Sequence, residues 1–430
     1  MAFGSHDTRL ERHPDHDDAP PLEGEAGAVA PAPDPADEAP ALDTRQMDLN
    51  LGPSHPAMHG TVRMVLKLEG ETVVHSDVQI GYLHRGFEKE SENVGWTQVF
   101  PYTDRLNYVS PLLNNIGYAM AVEKMLGVTI PERAQWIRVL VGELSRITDH
   151  LTCIGASAME LGGFSAFLYF LRAREELYKV IETCTGARLT QAYVRIGGLV
   201  NDLPAGFAEH TERALVETER LMADVDRMLT RNRIFYDRMR GIGTVGRAEA
   251  VTNGWTGPCG RASGVDYDVR RDHPYYVYPA LDWDVVIGSA GDNYERYLVR
   301  MEELVQSMRI VRQCFAKMPA GPVTVNDPKV ALPPKVEVYN TIEAMVNHFE
   351  LVFAGIQVPA GEVYSYTEAA NGELGFFLVS DGSGRPWKCR VRPPCIPLMG
   401  TVGRMVQGGM LADIVPTFGS VNMIGGECDR

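Results

Sequence analysis

The sequence contains no Cys-x-x-Cys pair. Its seven cysteines are spread over a chain of 430 residues, at positions 153, 184, 259, 314, 389, 395 and 428. An odd number of cysteines in a chain of this length argues against a disulfide framework and indicates a reducing compartment. The nearest pair, Cys389 and Cys395, has no further ligand close by, so the sequence does not predict a zinc knuckle.

Long apolar runs are also missing. The longest stretch without a charged residue, 106–122, is interrupted by one proline and three asparagines. A membrane-spanning helix needs about 20 consecutive apolar residues. The first residues are polar and acidic, and they lack the apolar segment of a signal peptide. We therefore predict neither a spanning helix nor a secretory leader.

Basic residues are in the minority, and the formal net charge is −15. Residues 1–46 carry eleven acidic against three basic residues and are rich in proline and alanine. Such a segment cannot bury enough apolar surface to order itself, so we predict a disordered tail over 1–46. The rest of the chain is mildly acidic and has no basic stripe, which argues against a nucleic-acid partner.

The most informative segment is residues 52–63, which read Gly-Pro-Ser-His-Pro-Ala-Met-His-Gly-Thr-Val-Arg. It places His55 and His59 four residues apart, and its prolines and glycines exclude a helix. Alternating apolar and polar residues over 62–68 predict a strand, and a second strand over 73–80 completes a hairpin. The histidines thus lie on a loop that leads into a strand. Taken alone, two solvated imidazoles in a turn are the simpler interpretation.

Apolar periodicity predicts a mainly helical protein of the α+β class. Helices are expected after Pro111 and over 131–160, 164–185, 204–238, 293–317 and 338–353, with loop-like structure over 241–283. A strand meander is expected over 362–368, 375–379 and 387–392. The predicted division is an N-terminal β region over 47–110, a helical domain over 111–355, and a C-terminal meander with an apolar tail over 356–430.

Three charged residues stand at boundaries between predicted elements. Arg85 belongs to a dense charged cluster, for which a solvated surface is the default interpretation. Arg105 either pairs with the adjacent Asp104 or points at a buried anion. Glu160 lies next to glycines and apolar residues between two predicted helices, where a carboxylate is either solvated or deliberately paired.

Five motifs follow one another along the chain: Gly-Pro-Ser-His-Pro-Ala-Met-His-Gly, His-Arg-Gly-Phe-Glu-Lys, Asp-Arg-Leu-Asn-Tyr, Gly-Ala-Arg and Gly-Glu-Cys-Asp-Arg. Together they resemble the family of the D subunit of respiratory complex I, the NADH–quinone oxidoreductase. The resemblance covers about residues 47–430. It implies the fold of the nickel–iron hydrogenase large subunit, a central helix bundle flanked by small antiparallel β regions.

The resemblance also implies a place in a larger enzyme. The chain is expected to be a peripheral component on the cytoplasmic side of the cell membrane, in a proton-pumping translocase that reduces ubiquinone or menaquinone. It is expected to hold no metal of its own. Its expected partners are the other complex I subunits, especially the subunit that carries the terminal 4Fe–4S cluster and the B, C, H and I subunits, while NAD binds elsewhere. The isolated chain is expected to be inactive and unstable.

Five residues receive expected roles from the resemblance. His59 and Tyr108 become hydrogen-bond donors to the quinone headgroup, in a cavity that opens toward the neighbouring cluster. An imidazole and a phenol can each give a proton to a quinone oxygen and regain it from a network behind them. Glu160, where the family usually has aspartate, becomes the acid behind the imidazole. Arg85 and Arg105 become cations near the cluster, which raise its potential.

Thr190 marks a departure from the family pattern. It stands in Gly-Ala-Arg-Leu-Thr, near the cluster, where many relatives carry histidine. A histidine there couples cluster reduction to proton uptake, whereas threonine does not titrate in this range. We therefore expect the potential of the neighbouring cluster to depend little on pH.

Three other interpretations compete with this one. A nickel–iron hydrogenase large subunit needs two Cys-x-x-Cys pairs for its own metal centre, and the sequence has none. A purely structural assembly factor would leave quinone reduction insensitive to His59 and Tyr108. A related complex fed by ferredoxin or another donor stays open, because the donor site lies on other chains.

Overall fold

A computed structural model describes residues 45–430. The predicted acidic tail lies outside the described residues, apart from its last two positions. The described chain opens with a three-stranded antiparallel sheet in the order β1 (Gln46–Leu51), β2 (Arg63–Glu69) and β3 (Thr72–Gln79). The predicted hairpin of β2 and β3 is confirmed. β1 was not predicted, and it pairs with β2 along its whole length.

Five α-helices follow the sheet, and the first two, which are short, were not predicted. They are α1 (Phe87–Asn93), α2 (Phe100–Thr103), α3 (Pro111–Leu126), α4 (Glu132–Glu160) and α5 (Phe164–Thr185). α3 begins at a proline in the first turn and ends at Gly127 in the left-handed region, with φ of 68°. α5 ends in the same way at Gly186. The predictions for α3, α4 and α5 are confirmed.

The predicted single helix over 204–238 is wrong. The structure has α6 (Phe207–Leu229) and a separate α7 (Arg233–Met239). Asn232 starts the new helix, because its side-chain oxygen accepts hydrogen bonds from the backbone N–H groups of Ile234 and Phe235. The connection before α6 holds a two-residue ladder of β4 (Val194–Arg195) and β5 (Gly198–Leu199).

The segment predicted as loop-like over 241–283 contains three short helices, α8 (Arg247–Thr252), α9 (Gly257–Ala262) and α10 (Val269–Asp272). The helix predicted over 293–317 is confirmed as α11 (Asn293–Lys317). The helix predicted over 338–353 is divided into α12 (Lys335–Asn340) and α13 (Ile342–Phe353), because the hydroxyl of Thr341 caps the second helix at Ala344 N–H.

The last part of the chain is the predicted meander followed by a helical tail. The strands β6 (Gly361–Ala369), β7 (Gly372–Ser380) and β8 (Lys388–Arg392) are antiparallel neighbours in that order. The tail contains α14 (Cys395–Val406), α15 (Ile414–Ser420) and α16 (Gly425–Asp429), and every residue of α16 is buried. The fold is thus mainly α within the α+β class, as predicted.

A network of buried charges crosses the centre of the helical region. Glu143 of α4 accepts hydrogen bonds from Tyr278 and Ser307 and forms ion pairs with Arg146 and Arg270. Burial alone would raise the pKa of Glu143, but the two guanidinium groups outweigh it and lower the pKa to about 2.

A third buried arginine extends the same network. Arg261 pairs with the carboxylates of Asp268, Glu303 and Glu368 at 2.8 to 3.1 Å. Glu303 also accepts from the ring of His150 at 2.8 Å. These pairs join α4, α9, α11 and β6 in the interior.

Two further features bear on assembly. The apolar face of α13 is exposed, and its side chains include Ile342, Met345, Phe349, Val352 and Phe353. Exposed apolar surface of this kind is typical of protein interfaces. Within residues 45–430, every helix is too short or too polar to cross a bilayer.

Candidate functional site

The loop between β1 and β2 presents His59 at the surface. A single helical turn, Pro56–Met58, brings the chain to His59, whose φ of 53° turns the backbone sharply toward β2. The ring nitrogen Nδ1 of His55 accepts from Ala57 N–H at 3.2 Å and fixes this turn. His55 thus has a local structural role, while the side chain of His59 points outward from the loop and is 44% exposed.

Glu160 lies behind His59. Its Oε1 is 3.2 Å from Nε2 of His59, and its side chain is only 6% exposed. Both oxygens are buried without a hydrogen-bond partner among the described residues. A buried carboxylate needs a nearby cation or donor, and the imidazole is placed to supply one. The two groups are within ion-pair distance but form no hydrogen bond of good geometry in this structure.

The tail residues 418–430 form the floor beneath this pair; we call this segment the C-terminal floor. The ring of Phe418 stacks against the imidazole of His59, with centroids 6.1 Å apart and planes at 25°. A Cβ atom added to Gly419 would lie 2.7 Å from Oε2 of Glu160, so the glycine leaves room for the carboxylate. Thr61, two residues after His59, contacts Met423 of the same floor.

Tyr108 reaches the C-terminal floor from the other side. Burial is the main reason why the pKa of its phenol is raised, and the backbone of Gly425 is close enough to oppose that rise. A Cβ atom added to Gly425 would be 2.9 Å from Thr61, on the histidine loop. The loop of His59 and the side chain of Tyr108 therefore meet at Gly425.

The two predicted arginines lie beside Tyr108. Arg85 donates to the carbonyl oxygens of Arg105, at 2.6 Å, and Gly426, at 3.0 Å. Burial lowers the pKa of Arg85, and the neighbouring Arg105 lowers it further, whereas the phenol of Tyr108 raises it. Both side chains reach the surface, so this edge of the floor is cationic.

Thr190 lies on the connection between α5 and β4, with φ of 55°. Two residues later, the N–H of Ala192 donates to the carboxylate of Asp104 at 3.2 Å, next to Arg105. Burial raises the pKa of Asp104 to about 6. The Thr190 loop is thus anchored at the arginine edge, whereas His59 and Glu160 lie along the opposite part of the floor.

Sequence reasoning missed the C-terminal floor as part of the site. Asp429 accepts from the N–H groups of Gly81 and Leu83 at 2.9 and 2.8 Å, and His84 contacts the carbonyl oxygen of Asp429 at 2.7 Å. One feature of the sequence could have indicated that the C-terminal floor belongs to the site. It is the charged pentapeptide Gly-Glu-Cys-Asp-Arg, which follows an apolar stretch. Charges in such a setting must be paired or protonated.

Two large concave sites of the described chain lie away from the floor. One, of about 1210 Å³, is lined by residues that include Arg270, Tyr278 and Trp283. The other, of about 460 Å³, is lined by residues that include Tyr275 and Tyr276. Neither includes His59 or Tyr108. The surface that carries His59 and the cationic edge is exposed, and we call it the open wall.

Comparison with known proteins places this wall in context. The sequence profile of the family described as "Respiratory-chain NADH dehydrogenase, 49 Kd subunit" matches residues 160–430. The chain is 56% identical over 390 residues to one of the D subunits of NADH-quinone oxidoreductase of Sorangium cellulosum, covering 90% of this chain and 96% of that protein. The chain belongs to the 49 Kd subunit family of respiratory-chain NADH dehydrogenase.

Other relatives agree with this assignment. The D subunit of NADH-quinone oxidoreductase of Myxococcus xanthus is 54% identical over 389 residues, with 90% of this chain and 94% of that protein covered. The C/D subunit of the same enzyme in Bdellovibrio bacteriovorus is 47% identical over 397 residues, with 92% and 71% covered. As a member of the 49 Kd subunit family, the chain is part of an oxidoreductase complex and has the other complex I subunits as partners.

The described residues of this 49 Kd subunit hold no group of three or more His, Cys, Asp or Glu side chains arranged for a metal ion. All seven cysteines are free and buried.

Proposed function

We propose that this chain forms one wall of the quinone headgroup site in a proton-pumping NADH–quinone oxidoreductase, with the wall facing the neighbour that carries the terminal 4Fe–4S cluster. The observation that carries the proposal is the meeting of the histidine loop and the Tyr108 phenol on one floor, with a buried carboxylate behind the imidazole. The 4Fe–4S neighbour closes the cavity that this chain leaves open.

The wall matches the needs of quinone reduction. A quinone that takes up two electrons must gain two protons, one on each carbonyl oxygen. The imidazole of His59 and the phenol of Tyr108 each carry a transferable proton, and both act as hydrogen-bond donors to the carbonyl oxygens. Glu160, whose Oε1 lies 3.2 Å from Nε2 of His59, keeps the imidazole ring oriented between proton transfers.

The cationic edge and the exposed helix fit the proposed neighbours. Arg85 and Arg105 reach the surface together beside Tyr108, where positive charge favours the reduced form of the neighbouring cluster. The apolar face of α13 supports docking of another protein of the complex. A relative whose name joins C and D supports the C subunit as one partner, with B, H and I as the others. NAD binds elsewhere in the complex. This chain lies peripherally on the cytoplasmic side of the membrane.

Two substitutions test the proposal in the assembled complex. We expect His59→Ala and Tyr108→Phe each to lower kcat for quinone reduction by about 100-fold, because each removes a proton donor. Electron transfer from NADH to hexacyanoferrate, which bypasses the quinone, should stay unchanged and reports assembly. His55→Ala, in the same loop, is the matched control, because His55 only braces the turn.

Full quinone reduction in both variants would show that the chain is purely structural. Loss of activity equal to that of the His55 variant would also contradict the proposal, since it would trace the effect to the loop rather than to the donor.

A further inference from the structure

The imidazole of His59 lies on a surface loop, so its orientation depends on contacts of the ring itself. The backbone at His59 has φ of 53°, and the side chain is 44% exposed. An imidazole in such a place can rotate about two side-chain bonds, and each rotation changes where its nitrogens point. A hydrogen-bond donor needs its N–H aimed at the acceptor. The contacts that fix the ring therefore bear directly on the proposed reaction.

One contact fixes the direction of one ring edge. Nε2 of His59 lies 3.2 Å from Oε1 of Glu160, which leaves Nδ1 as the ring nitrogen that can face a ligand. Both oxygens of Glu160 nevertheless lack a hydrogen bond of good geometry among the described residues. An attraction between charges depends on distance and sets no angle. Glu160 thus draws the ring edge inward, but it does not set the tilt of the ring plane.

A second contact acts on the face of the ring. Phe418 of α15 stacks against the imidazole, with centroids 6.1 Å apart and planes at 25°. This separation is within the range in which offset aromatic rings attract each other. A rotation of the imidazole about its outer side-chain bond would give up the contact between the two flat faces. Phe418 therefore restrains the tilt that Glu160 leaves free.

Phe418 is itself held in place. Its side chain is 1% exposed, and it belongs to the apolar cluster beneath the histidine loop. Residues on either side of it are tied to α11: Thr417 accepts from the amide of Asn293 at 3.2 Å, and Ser420 donates to the same side chain at 2.8 Å. Arg300 donates to the carbonyl oxygen of Ser420 at 2.6 Å. The phenyl ring is thus a fixed surface against which the imidazole rests.

We propose that Phe418 is a positioning residue of the quinone site, whose ring holds the plane of the His59 imidazole so that Nδ1 faces the headgroup. The inference rests on the proposed function, because it needs His59 to act on quinone. Phe418 acts through His59 and carries no transferable proton of its own. The carboxylate at the ring edge and the phenyl group at the ring face together fix both side-chain rotations of the donor.

The test is Phe418→Leu in the assembled complex. Leucine keeps the position apolar and nearly filled, but it removes the flat face. We expect kcat for quinone reduction to fall about 10-fold, because a misaligned donor contributes less to the transition state. Electron transfer from NADH to hexacyanoferrate should stay unchanged and identifies the variants that assemble. Phe418→Met, in which a flexible chain fills the same space, should show the same loss.

A combination with His59→Ala separates positioning from a merely structural effect. Once the imidazole is removed, no ring is left to hold, so adding Phe418→Leu to His59→Ala should lower kcat by less than about twofold more. A structural effect on the wall would be independent of the imidazole, and the two losses would multiply to about 1000-fold. A loss of that size would overturn the proposal, and so would full activity of Phe418→Leu.

Phe376→Leu is the matched control. Phe376 of β7 is fully buried in a different apolar cluster, and its ring contacts that of Tyr118 with centroids 5.8 Å apart. Its substitution also removes a buried ring contact, but not one with the proton donor. It should leave kcat within about twofold, with and without the imidazole. Equal losses from Phe376→Leu and Phe418→Leu would trace the effect to a loosened core and would overturn the proposal.

The two proposals fail separately. If His59→Ala leaves quinone reduction unchanged, the proposed function is wrong. If His59→Ala lowers kcat while Phe418→Leu and Phe418→Met do not, only the role of Phe418 is wrong.

Discussion

The position of the Glu160 carboxylate depends on the absence of a side chain at Gly419. An alanine Cβ there would lie 2.7 Å from Oε2 of Glu160 and 3.2 Å from the hydroxyl of Ser157. The carboxylate is the mobile end of its side chain, so it would move rather than unfold the floor. The absence of a Cβ atom at position 419 thus allows the carboxylate of Glu160 to lie behind His59.

We predict that Gly419→Ala lowers kcat for quinone reduction by about 10-fold or more, because a displaced acid no longer orients the imidazole. The thermal stability of the complex should change little. Gly400→Ala on α14 is the control, since an added Cβ there meets no atom within 4 Å. Equal activities of the two variants would contradict the explanation.

Thr190 supports a prediction of a different kind. Its hydroxyl donates to a backbone carbonyl at 2.6 Å and does not titrate near neutral pH. We expect the midpoint potential of the neighbouring 4Fe–4S cluster to be nearly constant between mildly acidic and neutral pH. Thr190→His should introduce a proton-coupled slope, measured by redox titration of the complex at several pH values. A clear slope in the unmodified complex would contradict the prediction.

Helix α4 owes its stability in part to the charges that it buries. The folded pKa of Glu143, about 2, lies below its ordinary value of 4.5. The folded state therefore binds fewer protons, and the stabilisation is fully present above about pH 4.5 and is lost as the pH falls through 2. Removing the carboxylate leaves Arg146 and Arg270 without their shared partner.

We predict that Glu143→Gln destabilises the folded chain by about 3 to 5 kcal/mol at neutral pH, because it leaves buried cations uncompensated. The difference from the unmodified protein should shrink as the pH is lowered toward 2. Denaturant midpoints of the complex, followed by the loss of tertiary signal, measure both effects. Glu343→Gln on the exposed part of α13 is the control, and a loss that did not depend on pH would argue against the ionic origin.

At the level of elements, the sequence predicted the helices whose ends carry strong signals. α4 follows Pro131, α5 ends at a glycine in the left-handed region, and α11 is capped by the side chain of Asp292, which accepts from Glu295 N–H. The sequence analysis missed the break before α7. Asn232 lies in a stretch of apolar and charged residues, and only the structure shows that its side chain caps the backbone N–H groups at the start of α7. The analysis also missed β1 as a separate strand. Its six residues alternate between polar and apolar side chains, but they directly follow the acidic tail.

In the molecule as a whole, the site depends on contacts between distant parts of the chain. The expected roles of His59, Tyr108, Glu160, Arg85 and Arg105 came only from the resemblance to a family, and not from residue patterns. Periodicity predicts which face of a helix is buried, but it carries no information on which loops meet. The C-terminal floor brings these segments together, and nothing local to 418–430 predicts the partners that it contacts.

The open wall and the exposed apolar face of α13 are both typical of a chain that functions in an assembly. Ile342, Phe349 and Phe353 are each more than half exposed. Apolar area of this size is stabilised by burial against another protein. A chain separated from its partners should therefore associate nonspecifically, in line with the expectation that it does not persist alone.

The ionic network around Glu143, Arg261 and Arg270 has a consequence for the evolution of this family. Each member neutralises two or three others in the dry interior, so a single replacement strands a charge and is selected against. Viable lineages should exchange these positions only in compensated sets. Ancestral reconstruction should therefore find them changing together on the same branches of the tree, or remaining fixed together.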